Sequence, residues 1–205
     1  MTDLAMVEAV LQTLCDTGRP LMRKRGLRLD SCIASCRIGK DVLARFGIHS
    51  SPLAVKVAAF NEQGHQFILD GHPEWCKQQR DGAYGLGAGY NPGPDPEKWD
   101  GHLILVIGST HLLDLSADQL ARPAHGIHIE PLALPLQSRS LFGQGGHAVW
   151  TNPMGGATAY EADPRNDAWK TAPDWSREQW AELTDEVERA VRMAVECPNH
   201  WSACG

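Results

Sequence analysis

A hydrophobic hairpin is predicted at residues 99–116, which read WDGHLILVIGSTHLLDLS. Residues 103–107 and 111–115 are short apolar runs, and the turn-forming residues 108–110 separate them. Two such runs around a short turn that contains glycine are typical of a β-hairpin. The hairpin gives the chain a pair of antiparallel strands, against which the flanking segments can be placed.

The length of the turn determines which side chains of the hairpin meet. With a three-residue turn, Ile107 lies opposite His111, and Ile104 lies opposite Asp114. Because strand side chains alternate between the two faces, His102 then shares a face with Ile104 and is a diagonal neighbour of Asp114. A two-residue turn would put His102 and Asp114 on opposite faces of the hairpin. The pairing of His102 with Asp114 therefore depends on the longer turn. An aspartate among leucines also needs a partner, because a half-buried carboxylate is costly when unpaired.

His102 opens its strand directly after an irregular segment, residues 81–98, which is rich in glycine and proline. Its ring is therefore expected to meet both solvent and substrate. Long loops in compact domains often act as lids or binding loops, so we expect Tyr84, Tyr90 and Trp99 to line a substrate pocket. The simpler alternative for Asp114 is that it caps a turn or pairs with Arg122.

A helix is predicted from residues 30–31 to Phe46, where Gly47 is a typical terminating residue. Cys32 falls in its first turn, where unpaired backbone N–H groups and the helix dipole favour a negative charge. A thiol in that position tends to have a lowered pKa, and the thiolate is the reactive species. Cys36 lies one turn deeper, where the helix terminus helps less. We therefore interpret Cys32 as a nucleophile and Cys36 as core packing, although most helical cysteines are inert core residues.

Two metal-binding alternatives compete with this interpretation. Cys32 and Cys36 could hold a metal together with a histidine, but no second thiol pair at ligand spacing supports such a site. The C-terminal residues Cys197, His200 and Cys204 could form a zinc clip with Cys76 as a fourth ligand. Their spacing matches no common zinc module, so we expect a plain tail and no metal site.

The remaining elements are predicted from periodicity and turn residues. Residues 3–15 form an amphipathic helix, residues 53–61 a strand, residues 62–64 a turn and residues 66–69 a returning strand. Further strands are expected at residues 126–136, 147–150 and 158–162. A last helix covers residues 176–197, with a buried stripe made of Trp180, Leu183, Val187, Val191 and Val195. The chain is thus predicted to be a single α+β domain over residues 1–205.

Composition excludes several other classes of protein. The net charge of −6 argues against a nucleic-acid-binding domain, which usually carries a basic face. The longest apolar runs are too short to cross a bilayer, and the acidic start of the first helix does not resemble a signal peptide. Six cysteines in a chain without an export signal are expected to be reduced thiols. These features predict a cytoplasmic protein with no nucleic-acid or membrane partner; the oligomeric state cannot be inferred.

The order of these features resembles a known family. Residues 30–36 (DSCIASC) look like a nucleophile helix, residues 99–104 (WDGHLI) like a histidine strand, and residues 112–116 (LLDLS) like an aspartate strand. This is the order of the transglutaminase-like branch of the papain-like cysteine proteins, and arylamine N-acetyltransferases share it. The resemblance covers residues 25–120. It implies N-terminal helices, a nucleophile helix packed on an antiparallel sheet, and a C-terminal helix.

The resemblance also implies a mechanism. Cys32 would attack a carbonyl carbon, His102 would hold and return the proton, and Asp114 would orient the imidazole. The expected activity is acyl transfer or hydrolysis through a thioester, on a small-molecule or peptide amide or ester, without a cofactor. The backbone N–H of Cys32 would be one oxyanion donor, and no upstream Gln or Trp stands out as a second. The alternative is a non-catalytic binding or structural domain on the same fold.

Overall fold

The computed structural model describes residues 3–70, 82–90, 99–136, 146–176 and 178–196. The helices are α1 (Leu4–Thr13), α2 (Arg19–Lys24), α3 (Cys32–Arg45), α4 (Glu62–Leu69) and α5 (Ala181–Glu196), and a π-helical turn, Leu14–Gly18, joins α1 to α2. The strands are β1 (Ser51–Phe60), β2 (Gly85–Ala88), β3 (His102–Ile107), β4 (His111–Asp114), β5 (Leu132–Pro135), β6 (His147–Thr151) and β7 (Ala157–Ala162).

The described strands form one antiparallel sheet of seven strands. Six of them follow the order β5-β4-β3-β1-β7-β6, and β2 pairs with β1 outside this order. The long strand β1 is its centre, with β7 on one side. On its other side β1 pairs with two strands in succession, with β3 through residues 51–55 and with β2 through residues 57–60. The first residue of β3, His102, therefore lies close to the last residue of β2. This junction positions the candidate site.

The helices cover one face of the sheet. Helix α3 packs on β3, and α5 packs on α3 and on the π-helical turn. Their apolar stripes form the larger core cluster with inward-facing sheet residues such as Leu103, Leu105 and Leu113. Helix α3 ends as predicted, because Gly47 has the positive φ of +72° that a left-handed terminating residue needs. Of the stripe predicted for the last helix, Val187 and Val191 are fully buried, whereas Trp180, Leu183 and Val195 are only partly buried against the same cluster.

The opposite face of the sheet encloses a second core cluster, which includes Ile104, Leu112 and Tyr160. The hydroxyl of Tyr160, on β7, hydrogen-bonds the carboxylate of Asp114, on β4, at 2.9 Å. Strands β3 and β1 lie between those two strands. A flat sheet would keep these side chains too far apart, because neighbouring strands are about 4.8 Å apart. The sheet must therefore curl around this second cluster.

The predicted α+β class is confirmed, together with the hairpin, the central strand, the 147–150 and 158–162 strands and a last helix. That helix begins at Ala181 and not at residue 176, because a separate 3₁₀ turn, Glu178–Trp180, precedes it. The prediction of a turn at residues 62–64 and a returning strand at 66–69 is wrong, because Glu62–Leu69 is a helix. Asn61 caps it, and its side-chain oxygen accepts from the backbone N–H of Gly64 at 2.8 Å. Gly64 was interpreted as a turn residue, but its role is close packing: an added Cβ would lie 2.6 Å from the carbonyl oxygen of Tyr84.

Three other boundaries differ from the sequence prediction. The first helix turns π-helical after Thr13. The 81–98 segment is not all loop, since it contains β2, where Gly87 lets the chain approach the backbone of Val57. The strand expected over residues 126–136 is only Leu132–Pro135, because residues 122–127 fold into a tight turn closed by reciprocal hydrogen bonds between Arg122 and Ile127. Within the described ranges, no helix combines the length and apolar character needed to cross a bilayer.

Replacing Gly64 with alanine tests the close approach of α4 to the β2 segment. At an exposed helical position this change would stabilise the protein by up to about 1 kcal/mol. Here the new methyl group would push against the carbonyl of Tyr84, so we expect Gly64→Ala to lower the free energy of unfolding by about 1–3 kcal/mol. Urea denaturation measures the change, and the exposed neighbour Gln63→Ala is the control, expected to stay within about 0.5 kcal/mol. A stabilised Gly64→Ala protein would contradict the packing.

Candidate active site

Cys32 is the first residue of α3. Ser31 occupies the N-cap position, yet its side chain makes no capping bond within the described chain, and its hydroxyl donates to the carbonyl of Arg28 instead. The backbone N–H groups of the first turn are thus left without a side-chain acceptor from the cap. Such groups attract an anion or an oxyanion. Cys32 itself is 4% exposed and is a member of the helical core cluster.

His102 and Asp114 meet as the three-residue turn predicts. Ile107 pairs with His111 in the register of β3 and β4, and Nε2 of His102 lies 2.7 Å from Oδ2 of Asp114. Both side chains are completely buried. The expectation that the imidazole would meet solvent is therefore wrong. The curl of the sheet folds the start of β3 inward, so that the ring lies in the core.

The carboxylate of Asp114 accepts hydrogen bonds from more groups than the sequence indicates. Besides His102, its carboxylate accepts from the backbone N–H of Ser116 at 3.0 Å and from the hydroxyl of Tyr160 at 2.9 Å. Arg122, the alternative partner, instead donates to the carbonyls of Gln119 and Ala121. A buried carboxylate is costly unless it is hydrogen-bonded, and these donors meet that requirement.

The surroundings of His102 raise the pKa of its imidazole. Burial alone would lower its pKa, but the charge and hydrogen bond of Asp114, together with a hydrogen bond to Cys32, outweigh burial and raise the pKa to about 10. Asp114 lies at Nε2 and the carboxamide of Gln119 lies against Nδ1, so both ring nitrogens have a partner. A protonated imidazole beside a thiol is the arrangement that stabilises a thiolate.

The other described cysteines, Cys36 and Cys15, are buried in the same core cluster as Cys32. Cys36 is 1% exposed, and its Sγ donates to the carbonyl of Leu103 at 3.0 Å. Burial, then the nearby Cys32 and Asp114, raise the pKa of the Cys36 thiol well above its usual value. Burial likewise raises the pKa of Cys15. These surroundings are those of inert core thiols, which accords with the interpretation of Cys36 as core packing.

The structure brings some of the expected substrate-binding residues towards this site. Trp99 packs against the core cluster that contains Cys32, and its indole Nε1–H is buried without a partner among the described residues. Tyr90 lies two residues after the end of β2, with its ring 5.8 Å from Nζ of Lys56. Tyr84 is at the other end of β2, where its ring stacks on His125 at 4.0 Å. Trp99 and Tyr90 thus flank the start of β3, whereas Tyr84 lies away from it.

Three residues that contribute to the site were missed. Tyr160 comes from β7, and the amide of Gln119 contacts Nδ1 of His102. Arg19 is 1% exposed and donates to Ser35 Oγ at 2.7 Å and to Asp118 Oδ1 at 3.0 Å. No local pattern in the sequence marks these long-range polar contacts.

No metal centre is found in the part of the chain that the structure describes, where no three His, Cys, Asp or Glu side chains cluster as ligands. The thiols Cys76, Cys197 and Cys204 and the imidazole of His200, which form the zinc-clip alternative, lie outside the described residues. Comparisons with family models, with curated proteins and with solved structures find no match to this chain.

Removing the hydroxyl of Tyr160 tests its contribution to the buried carboxylate. A hydrogen bond to a charged group contributes about 1.5–3 kcal/mol, so Tyr160→Phe is expected to lower the free energy of unfolding by about that amount. Urea denaturation followed by circular dichroism measures the loss. Tyr84→Phe removes the same hydroxyl from a ring that stacks on His125 and serves as the matched control. Equal effects of the two substitutions would show that the bond to Asp114 contributes nothing specific.

The pH dependence of stability tests the charge on His102. Because the folded pKa of about 10 exceeds the ordinary value of 6.5, the stabilising contribution of His102 is complete below pH 6.5 and is lost as the pH rises through 10. We expect the difference in free energy of unfolding between wild type and His102→Gln to narrow from pH 6 to pH 10. The exposed His49→Gln controls for loss of an imidazole. A difference that is constant or widens with pH would contradict the raised pKa.

Proposed function

We propose that this protein is a cysteine-dependent acyltransferase or amidase that works through a thioester on Cys32. The observation that carries the proposal is the buried pair of His102 and Asp114, hydrogen-bonded at 2.7 Å, with Cys32 near enough to help raise the pKa of the imidazole. A nucleophile, a base that reaches it and a third group that orients the base are the parts of a catalytic triad.

Each group has a defined part in the proposed reaction. The sulfur of Cys32 forms a bond to the carbonyl carbon of an amide or ester, and its proton is held on Nδ1 of His102. That proton passes to the leaving nitrogen or oxygen as its bond to the carbon breaks, which leaves a thioester. Water or an amine then attacks the thioester and gives its proton to His102, and the sulfur leaves as the thiolate. Asp114 orients the imidazole through its hydrogen bond to Nε2.

Negative charge that develops on the carbonyl oxygen needs a donor. The uncapped first turn of α3 supports the backbone N–H of Cys32 in that role, because the cap side chain does not occupy it. The donor lies on the same residue as the nucleophile, so attack on the carbonyl carbon brings the oxygen towards the helix start. Electrostatic stabilisation of this kind is usually the largest single contribution to acyl-group catalysis.

The proposal includes the relationship to transglutaminase-like and papain-like proteins. It rests on the order of the three residues and on their settings at a helix start and on two neighbouring strands. A cytoplasmic, reducing environment is part of the same proposal, because Cys15, Cys32 and Cys36 are free thiols. The substrate is proposed as a small-molecule or peptide amide or ester.

A non-catalytic domain is the second candidate, and burial is the observation that favours it. His102 and Asp114 have no exposed surface, and Cys32 has only 4%. In that role the three side chains would be a polar cluster that fixes the packing of the sheet, and fold alone does not establish an activity.

Alkylation of Cys32 distinguishes the two candidates. The proposed enzyme should react with iodoacetamide at Cys32 faster near pH 7 than a free peptide thiol does, because the protonated imidazole stabilises the thiolate. We expect His102→Gln to slow this reaction by about 10-fold or more. Peptide mass mapping assigns the modified residue, Cys32→Ala removes the signal, and Cys36→Ala is the control that should retain it. A Cys32 rate no greater than that of a peptide thiol would end the enzymatic proposal.

A further inference from the structure

Gln119 makes a contact that the triad itself does not require. Its carboxamide Nε2 lies against Nδ1 of His102, the nitrogen that faces away from Asp114. Gln119 is partly exposed, whereas the ring that it touches has no exposed surface. The carboxamide therefore covers the imidazole on the side where its proton is exchanged.

The chemistry of Nδ1 makes this contact significant. A ring nitrogen offers either one lone pair or one hydrogen. In the proposed reaction, Nδ1 exchanges its proton with Cys32 only while the sulfur is a thiol or a thiolate. Once the sulfur is acylated, it can neither donate a proton nor act as a strong acceptor. A buried nitrogen without a partner is costly. A carboxamide carries both a donor and an acceptor, so Gln119 can pair with Nδ1 in either protonation state.

The segment that carries Gln119 is held relative to α3 by a buried arginine. Asp118, its neighbour in the 3₁₀ turn Ala117–Leu120, accepts from Arg19 at 3.0 Å. The same guanidinium donates to Ser35 Oγ at 2.7 Å, on the helix that begins with Cys32. This network fixes the distance between the carboxamide and the nucleophile helix.

We propose that Gln119 is a positioning residue that holds the imidazole of His102 at Nδ1 while the sulfur of Cys32 is acylated. The inference rests on the proposed function, since it concerns the thioester stage of that reaction. In the free protein Cys32 also restrains the ring, but in the thioester Gln119 is the group left to do so. Loss of the carboxamide therefore slows deacylation more than acylation.

Burst kinetics with p-nitrophenyl acetate separate these two stages. The rate of the initial release of p-nitrophenol measures acylation of Cys32, and the steady-state rate measures deacylation. For Gln119→Ala we expect the burst rate to stay within about 3-fold of wild type and the steady-state rate to fall about 10-fold or more. Gln66→Ala removes a glutamine whose amide bonds Asp70 on the surface of α4 and should change neither rate.

Gln119→Glu supplies a readout that a merely structural role would not move. A carboxylate at this position accepts from the protonated imidazole but cannot donate to the neutral form, so it favours the proton on His102. Deacylation needs the neutral ring as a base, and its pH profile should therefore shift to higher pH in Gln119→Glu. Near-UV circular dichroism checks that both variants are folded. If Gln119→Ala is unfolded, the pH profile of Gln119→Glu decides whether Gln119 has the proposed role.

The outcomes separate this inference from the proposed function. If wild type shows no burst and behaves like Cys32→Ala, the proposed function and the role of Gln119 are both overturned. A burst that Cys32→Ala abolishes supports the proposed function. If Gln119→Ala then leaves the steady-state rate unchanged or raises it, or if the pH profile of Gln119→Glu does not move, the role of Gln119 alone is overturned.

Discussion

The buried pair of His102 and Asp114 is the constraint on which the rest of this structure depends. Two ionisable groups without exposed surface are costly unless each is fully paired. The surrounding chain supplies those partners: Ser116 lies two residues after Asp114, and Tyr160 reaches it from the far side of the central strand. The second contact exists only because the sheet curls. The carboxylate therefore depends on the curl, since in a flatter sheet it would lack the hydrogen bond from Tyr160.

The parts of this arrangement that could be predicted from the sequence are those set by residues close together in the chain. The turn at residues 108–110 fixed the register of β3 and β4, and alternation along the strands then placed His102 beside Asp114. Gly47 marked the end of α3 in the same local way. In contrast, Gly64 was misread as a turn residue, because its helical role depends on the carbonyl of Tyr84, which is distant in sequence. The burial of His102 was missed for a similar reason, since curl is a property of the whole sheet.

Arg19 shows the same limit for charged residues. On a short basic helix it resembles a solvated side chain, yet it is 1% exposed and joins three segments. Its partners are the carbonyl of Leu29, Ser35 on α3 and Asp118 beside Gln119. A guanidinium carries donors in a fixed planar geometry, so it can satisfy several acceptors at once and orient them. The elements that carry Cys32 and Gln119 are thus tied together through one cation, which no local pattern reveals.

The capping of the helices bears on whether Cys32 is structural or chemical. Helices α1 and α4 begin with capping residues, Asp3 and Asn61, whose side chains accept from the first turn. Ser31 is an equally good capping residue at the start of α3, but within the described chain it does not cap, and its hydroxyl bonds Arg28 instead. A missing cap costs about 1 kcal/mol. A purely structural helix gains nothing from that loss, whereas a helix that must present free N–H groups to an oxyanion beside a nucleophile requires it.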